Sequence, residues 1–131
     1  MSDPVLHEEI RPGVFWFHPS DGGEMYILRA GETLVLVDTG LPRHKEVLAE
    51  AVVAAGLDPH TIELGFITHC HCDHVGGMGW WREQFDFPVL AHQMAVAPVT
   101  RGDPVVTGAH MPYAGFDEPF IPCPVDRTIG E

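Results

Sequence analysis

Six consecutive residues, His69-Cys-His-Cys-Asp-His74, gather three imidazoles and one carboxylate in a chain of 131 residues. Neutral imidazoles with a carboxylate form a donor set of borderline softness that suits zinc first, and iron or manganese less well. Extended backbone alternates its side chains, so His69 and His71 project to one side and Cys70 and Cys72 to the other. The two histidines can therefore share one metal. Asp73 and His74 follow where the chain must turn into the next helix, and Val75-Gly76-Gly77 permits a tight turn with backbone close to a bound group. These two side chains can serve a second metal. Two other readings compete. One is a solvated polar loop, which this density of ligand types at a strand end disfavours. The other is a structural zinc closed by Cys70, Cys72 and histidines; such sites favour C-x-x-C spacing, and the alternation turns the thiols away from the imidazoles.

The elements that must position this cluster read as follows. Gly13–His18 and Met25–Arg29 are β-rich runs separated by Asp21-Gly22-Gly23, and Ala30-Gly31-Glu32 has the composition of a hairpin turn. Thr33–Val37 is an uninterrupted aliphatic run, predicting a central strand buried on both faces. Lys45–Ala55 places Val47, Leu48, Ala51, Val52 and Ala55 at helical spacing, with Gly56 as the stop. Leu64–Thr68 resumes as an apolar strand that ends where the histidines begin. Strand, helix, strand predicts a parallel crossover. A short helix over Gly76–Phe85, a strand over Pro88–Ala91 and helical turns over Gln93–Val99 complete the pattern. Trp80 and Trp81 are adjacent on their helix and cannot face the same way, so one belongs to the core and the other to an interface. Residues 100–124 hold five prolines and little periodicity, predicting an irregular loop of the kind that often borders a site.

The length fits one domain over residues 1–131. With 45% apolar and 20% charged residues the chain can bury a core and lies outside the disordered regime. Its formal charge of -12 gives no support to phosphate-backbone binding, which argues against nucleic acid as a partner. The N-terminus lacks a basic segment followed by an apolar run, and no apolar stretch is long enough to span a bilayer. Three cysteines cannot all pair, so the chain is not a disulfide scaffold. A cytoplasmic protein without membrane association is the simplest expectation.

Thr68-His-Cys-His-Cys-Asp-His-Val-Gly-Gly77 matches the THxHxDHxGG signature of the metallo-β-lactamase superfamily, and Leu34-Val-Leu-Val-Asp-Thr-Gly40 resembles the strand and loop that precede it there. The resemblance implies an α/β fold, the family's α/β/β/α sandwich, of which residues 14–91 correspond to the first half. It further implies that His69 and His71 bind a first metal, that Asp73 and His74 bind a second, and that Asp38 lies beneath the metals and orients a ligand imidazole. A turn-forming Asp before Thr-Gly is the competing reading of Asp38. The family's iron-dependent oxidoreductases carry glutamate at the second motif position, so His71 points to the hydrolytic branch. There zinc lowers the pKa of bound water toward about 7, and the metal-held hydroxide attacks a carbonyl or phosphoryl centre of a small-molecule substrate. Asp73 would both hold the second zinc and orient that hydroxide.

The family's second half carries a further histidine, a bridging aspartate and a last histidine, which have no counterpart in these residues. Asp126 is therefore not matched to the bridging aspartate. His110 is a weak substitute ligand, and His92 either lines the cleft or starts a surface helix. His7, His18, His44 and His60 are expected in solvent. Two function classes follow: a zinc-dependent hydrolase of an ester, thioester, lactone, amide or phosphoester, or a truncated, non-catalytic metal-binding half whose partner or second copy completes the site. A half sandwich leaves one sheet face uncovered, favouring a homo-oligomer that covers it. A phosphodiesterase acting on nucleic acid is a third, disfavoured by charge, although bound metals would locally reverse the potential.

Overall fold

The computed structural model describes residues 5–19, 23–108 and 121–130. Seven strands form one sheet in sequential order: β1 Val5–Arg11, β2 Val14–Pro19, β3 Met25–Ala30, β4 Thr33–Val37, β5 Ile62–Ile67, β6 Val89–His92 and β7 Arg127–Ile129. The first four pair antiparallel as a meander, because short turns such as Pro12-Gly13, with Gly13 at φ 80°, reverse the chain in two residues. From β4 onward the pairing is parallel, and helices make the crossovers. Helix α1 (Lys45–Ala54) joins β4 to β5; α2 (Cys72–Val75) and α3 (Met78–Phe85) join β5 to β6; α4 (Gln93–Arg101) follows β6. The predicted crossover is present, and β4 is the central strand.

One parity of strand residues faces the helices. Phe15, Phe17, Met25, Ile27, Leu36, Ile67 and Val89 join Leu48 and Val52 of α1, Met78 and Trp81 of α3, and Val99 of α4 in a single buried cluster. The other parity is only half-covered. Trp16, Tyr26, Val37, Phe66 and Leu90 pair in one row across five strands, and each is partly exposed. The expectation that Thr33–Val37 is buried on both faces is thus corrected: Leu34 and Leu36 are enclosed, while Thr33, Val35 and Val37 are half-buried, because all three longer helices pack on one side. The architecture is a two-layer β/α half. Trp81 is core and Trp80 is half-buried beside it, their rings edge-on at 5.8 Å.

Strand β1 goes beyond the sequence reading, since its charged residues hide it; the Pro-Gly turn beside it was the available signal. Within 100–124, Arg101 still belongs to α4, and Asp103 organises the next turn by accepting from the Val105 and Val106 amides. His110 lies outside the described residues. No helix among the described residues is long and apolar enough to cross a membrane.

Candidate metal centre

Strands β4 and β5 are parallel neighbours, so Asp38 and Thr68 leave the sheet side by side at its carboxyl edge. Open α/β sheets bind ligands at this edge. Asp38 turns the chain with φ 58°, a left-handed conformation that Asp tolerates better than most residues, and its amide donates to the Phe66 carbonyl at 3.0 Å. Its side chain is buried, and a buried carboxylate must be hydrogen-bonded to be tolerated. Oδ1 accepts from the Thr68 amide at 2.9 Å, and Oδ2 accepts from the Thr68 hydroxyl at 2.6 Å and lies 3.1 Å from Nδ1 of His74. Through its two oxygens Asp38 therefore ties the end of β5 to the His74 ring.

The strand ends at Ile67, His71 is extended (φ -69°, ψ 141°), and the chain then enters the single turn of α2, which carries Asp73 and His74. The His69 ring lies 4.9 Å from the His71 ring and 4.3 Å from the His74 ring, centroid to centroid. Nε2 of His74 lies 3.7 Å from a half-exposed Asp73 carboxylate oxygen. Cys72 is buried in the core and Cys70 packs against it, so thiols and imidazoles part company as alternation requires. Burial pushes the Cys72 thiol up to about 11 and the Cys123 thiol up to about 12, which disfavours the thiolates a cysteine zinc site needs. His69 is shifted the other way: burial first, then the neighbouring His74, lower its pKa and favour the neutral imidazole that binds metals.

Two groups of side chains among the described residues bring ligand atoms within 4.8 Å of one another: His69, His71 and Asp73, and Asp38, His69 and His74. The Asp38 oxygens already serve three hydrogen-bonding groups, so the first group is the better cradle. Its two imidazoles and one carboxylate fit zinc in number and chemistry. His74 stands beside it, with Nδ1 toward Asp38 and Nε2 toward Asp73.

Supports unseen in the sequence hold this loop. The Thr39 amide donates to the His74 carbonyl at 2.6 Å, and the Thr39 hydroxyl accepts from the Gly77 amide at 3.2 Å. The Cys72 amide donates to the carbonyl of buried Thr107, so the turn after α4 does border the site. Gly76 serves a different purpose from the one expected: a Cβ there would lie 2.3 Å from Cδ of Pro42, so its smallness lets protein pack on protein.

The remaining histidines divide. Nδ1 of His92 accepts from the Met94 amide and caps α4, matching the helix-start reading. His7 and His60 are exposed, although His7 lies on β1 and stacks on Phe17. Two expectations fail. His44 is buried, because the turn Pro42–His44 before α1 is itself packed inward. His18 is half-buried on β2, stacked on Trp16 with Nδ1 3.2 Å from the Gly23 carbonyl oxygen. Asp126 pairs with Arg82 at 2.9 and 3.1 Å and accepts from the Val89 amide, a structural duty at the start of β7.

The sequence model of the metallo-β-lactamase superfamily matches residues 20–131. Among curated proteins, the probable metallo-hydrolase YybB of Bacillus subtilis is 34% identical over 79 residues, covering 60% of this chain and 34% of its own length. Ribonuclease TTHA0252 of Thermus thermophilus is 36% identical over 110 residues, covering 82% of this chain and 24% of its own. The solved structure of BJP-1, a subclass B3 metallo-β-lactamase of Bradyrhizobium japonicum, overlays with a TM-score of 0.81 at 21% identity, covering 97% of this chain and 46% of that one. The chain thus spans a quarter to a half of the length of these three proteins, and the overlay places its sheet and helices on one half of the full fold. A family match over most of the sequence, joined to that overlay, leads to one conclusion: the chain belongs to the metallo-β-lactamase superfamily.

Proposed function

We propose that the chain supplies the metal-binding half of a zinc-dependent hydrolase acting on an ester, thioester, lactone, amide or phosphoester. The observation that carries this reading is the convergence of His69, His71 and Asp73 donors within 4.8 Å at the carboxyl edge of the sheet. His69 and His71 would hold the first zinc, with the Asp73 carboxylate within reach of it; Asp73 and His74 would hold a second in the complete site. Bound zinc supplies Lewis acidity and lowers the pKa of its water toward about 7. Asp38 keeps the His74 ring in place, and Asp73, half-exposed at the start of α2, accepts a hydrogen bond from the attacking water and aligns it. The substrate is a small molecule that enters from the open carboxyl edge. Three free thiols are in keeping with a cytoplasmic setting.

His69→Ala combined with His71→Ala is expected to abolish zinc binding, measured as metal content per chain, while leaving the circular dichroism of the sheet intact. Unchanged zinc content would sink the ligand assignment.

A second reading, a metal-binding half that is inert until a partner or second copy completes it, draws on the 34% and 46% shares of relatives that the chain spans. Zinc uptake without turnover of chromogenic thioesters, lactones or phosphodiesters would favour it. The ribonuclease relative raises hydrolysis of RNA phosphodiesters as a third; the formal charge of -12 opposes it, because like charges repel the phosphate backbone.

A further inference from the structure

The Thr68 hydroxyl stands between two members of the site. Its oxygen lies 2.6 Å from Oδ2 of Asp38 and 2.9 Å from Nδ1 of His69. A hydroxyl has one proton to give and lone pairs to receive with, whereas a carboxylate only accepts. The shorter contact must therefore be Thr68 donating to Asp38. That leaves lone pairs facing His69, and Nδ1 of His69 has to carry the hydrogen in order to donate to them. A neutral imidazole protonated at Nδ1 is unprotonated at Nε2. The same carboxylate imposes the same tautomer on His74, whose Nδ1 lies 3.1 Å from Oδ2. The Thr68 amide, donating to Oδ1 at 2.9 Å, fixes the backbone from which the relay hangs.

We propose that Thr68 is a positioning residue: it extends the reach of Asp38 to His69 and holds that ring as the Nδ1–H tautomer, with the Nε2 lone pair presented to a cation. One buried carboxylate then sets two imidazoles at once, His74 directly and His69 through a hydroxyl. Serine preserves the relay. Valine matches the shape of threonine and removes it.

The tautomer can be read on metal-free protein labelled with nitrogen-15 at histidine, where long-range proton–nitrogen spectra distinguish Nδ1–H from Nε2–H. His69 is expected as Nδ1–H in the parent and in Thr68→Ser, and to lose that preference in Thr68→Val. Zinc affinity, measured by competition with a chelator, is expected to fall about 10- to 100-fold in Thr68→Val and to recover in Thr68→Ser. A His69 that is Nε2–H in the parent, or that stays Nδ1–H in Thr68→Val, overturns the relay. A changed tautomer with unchanged zinc affinity overturns its role in poising the site. Because the proposal rests on the ligand reading of His69, the two failures are kept apart: a parent protein that takes up no zinc while the tautomer follows Thr68 sinks that reading and leaves the relay standing.

Discussion

At the scale of single residues the centre depends on Asp38, a side chain that the better cradle does not include. It is 5% exposed, left-handed, and shared among the Thr68 amide, the Thr68 hydroxyl and His74. Asp38→Ala strands these donors and adds strain at a positive φ, so a loss of about 2–4 kcal/mol in a urea titration is expected. Asp38→Asn retains an acceptor oxygen and a tolerance for φ 58°, and should lose clearly less. Equal losses in the two variants would mean that the hydrogen bonds carry little of the stability. The motif itself was fully legible in the sequence, since ligand types and their alternation are local. What Thr68 does was not legible, because its partner lies thirty residues away and meets it only through the pairing of β4 with β5.

At the scale of elements, β7 is three residues long and would be marginal alone. Asp126 anchors it, bonded by both oxygens to Arg82 of α3 and by Oδ2 to the Val89 amide of β6. The Arg82 guanidinium, first, and the Val89 amide hold the Asp126 carboxyl below the usual carboxylate range. A depressed carboxyl pKa contributes stability that is present above the unfolded value of about 4 and is lost as the pH falls through the lower folded value. The pair is about one-third exposed, which limits its contribution to about 1 kcal/mol or less. Asp126→Asn should thus be destabilising at neutral pH and converge with the parent protein at the acid end, read from urea midpoints across that range. A difference that persists undiminished in acid would rule out the ionic account. Periodicity located α1, α3 and the central strands to within a few residues, while β1 escaped because every residue after Val5 is exposed and no alternation marks it.

At the scale of the whole molecule, the charge of -12 and the half-covered sheet face pull in opposite directions. Trp16, Tyr26, Val37, Phe66 and Leu90 form one apolar row, and apolar area of this extent favours association. The 131-residue chain is expected to self-associate in sedimentation experiments, and Phe66→Glu, flanked in the row by Val37 and Leu90, should shift it toward monomer. A parent chain that remains monomeric at every concentration would show that the row is adequately covered as it stands. Added salt screens the repulsion between like-charged copies, so association should strengthen with ionic strength.

Residue type and short-range spacing were enough to mark the candidate donors, their alternation with the thiols, the crossover about β4 and the family, because each is a local feature of the chain. Tertiary structure decided which face of the sheet receives the helices, how Asp38 is shared between Thr68 and His74, and why Gly76 must be small. It also drew His44 inward and gave Asp126 to Arg82. Those outcomes join residues far apart in the chain, and only the packed backbone brings their atoms within reach.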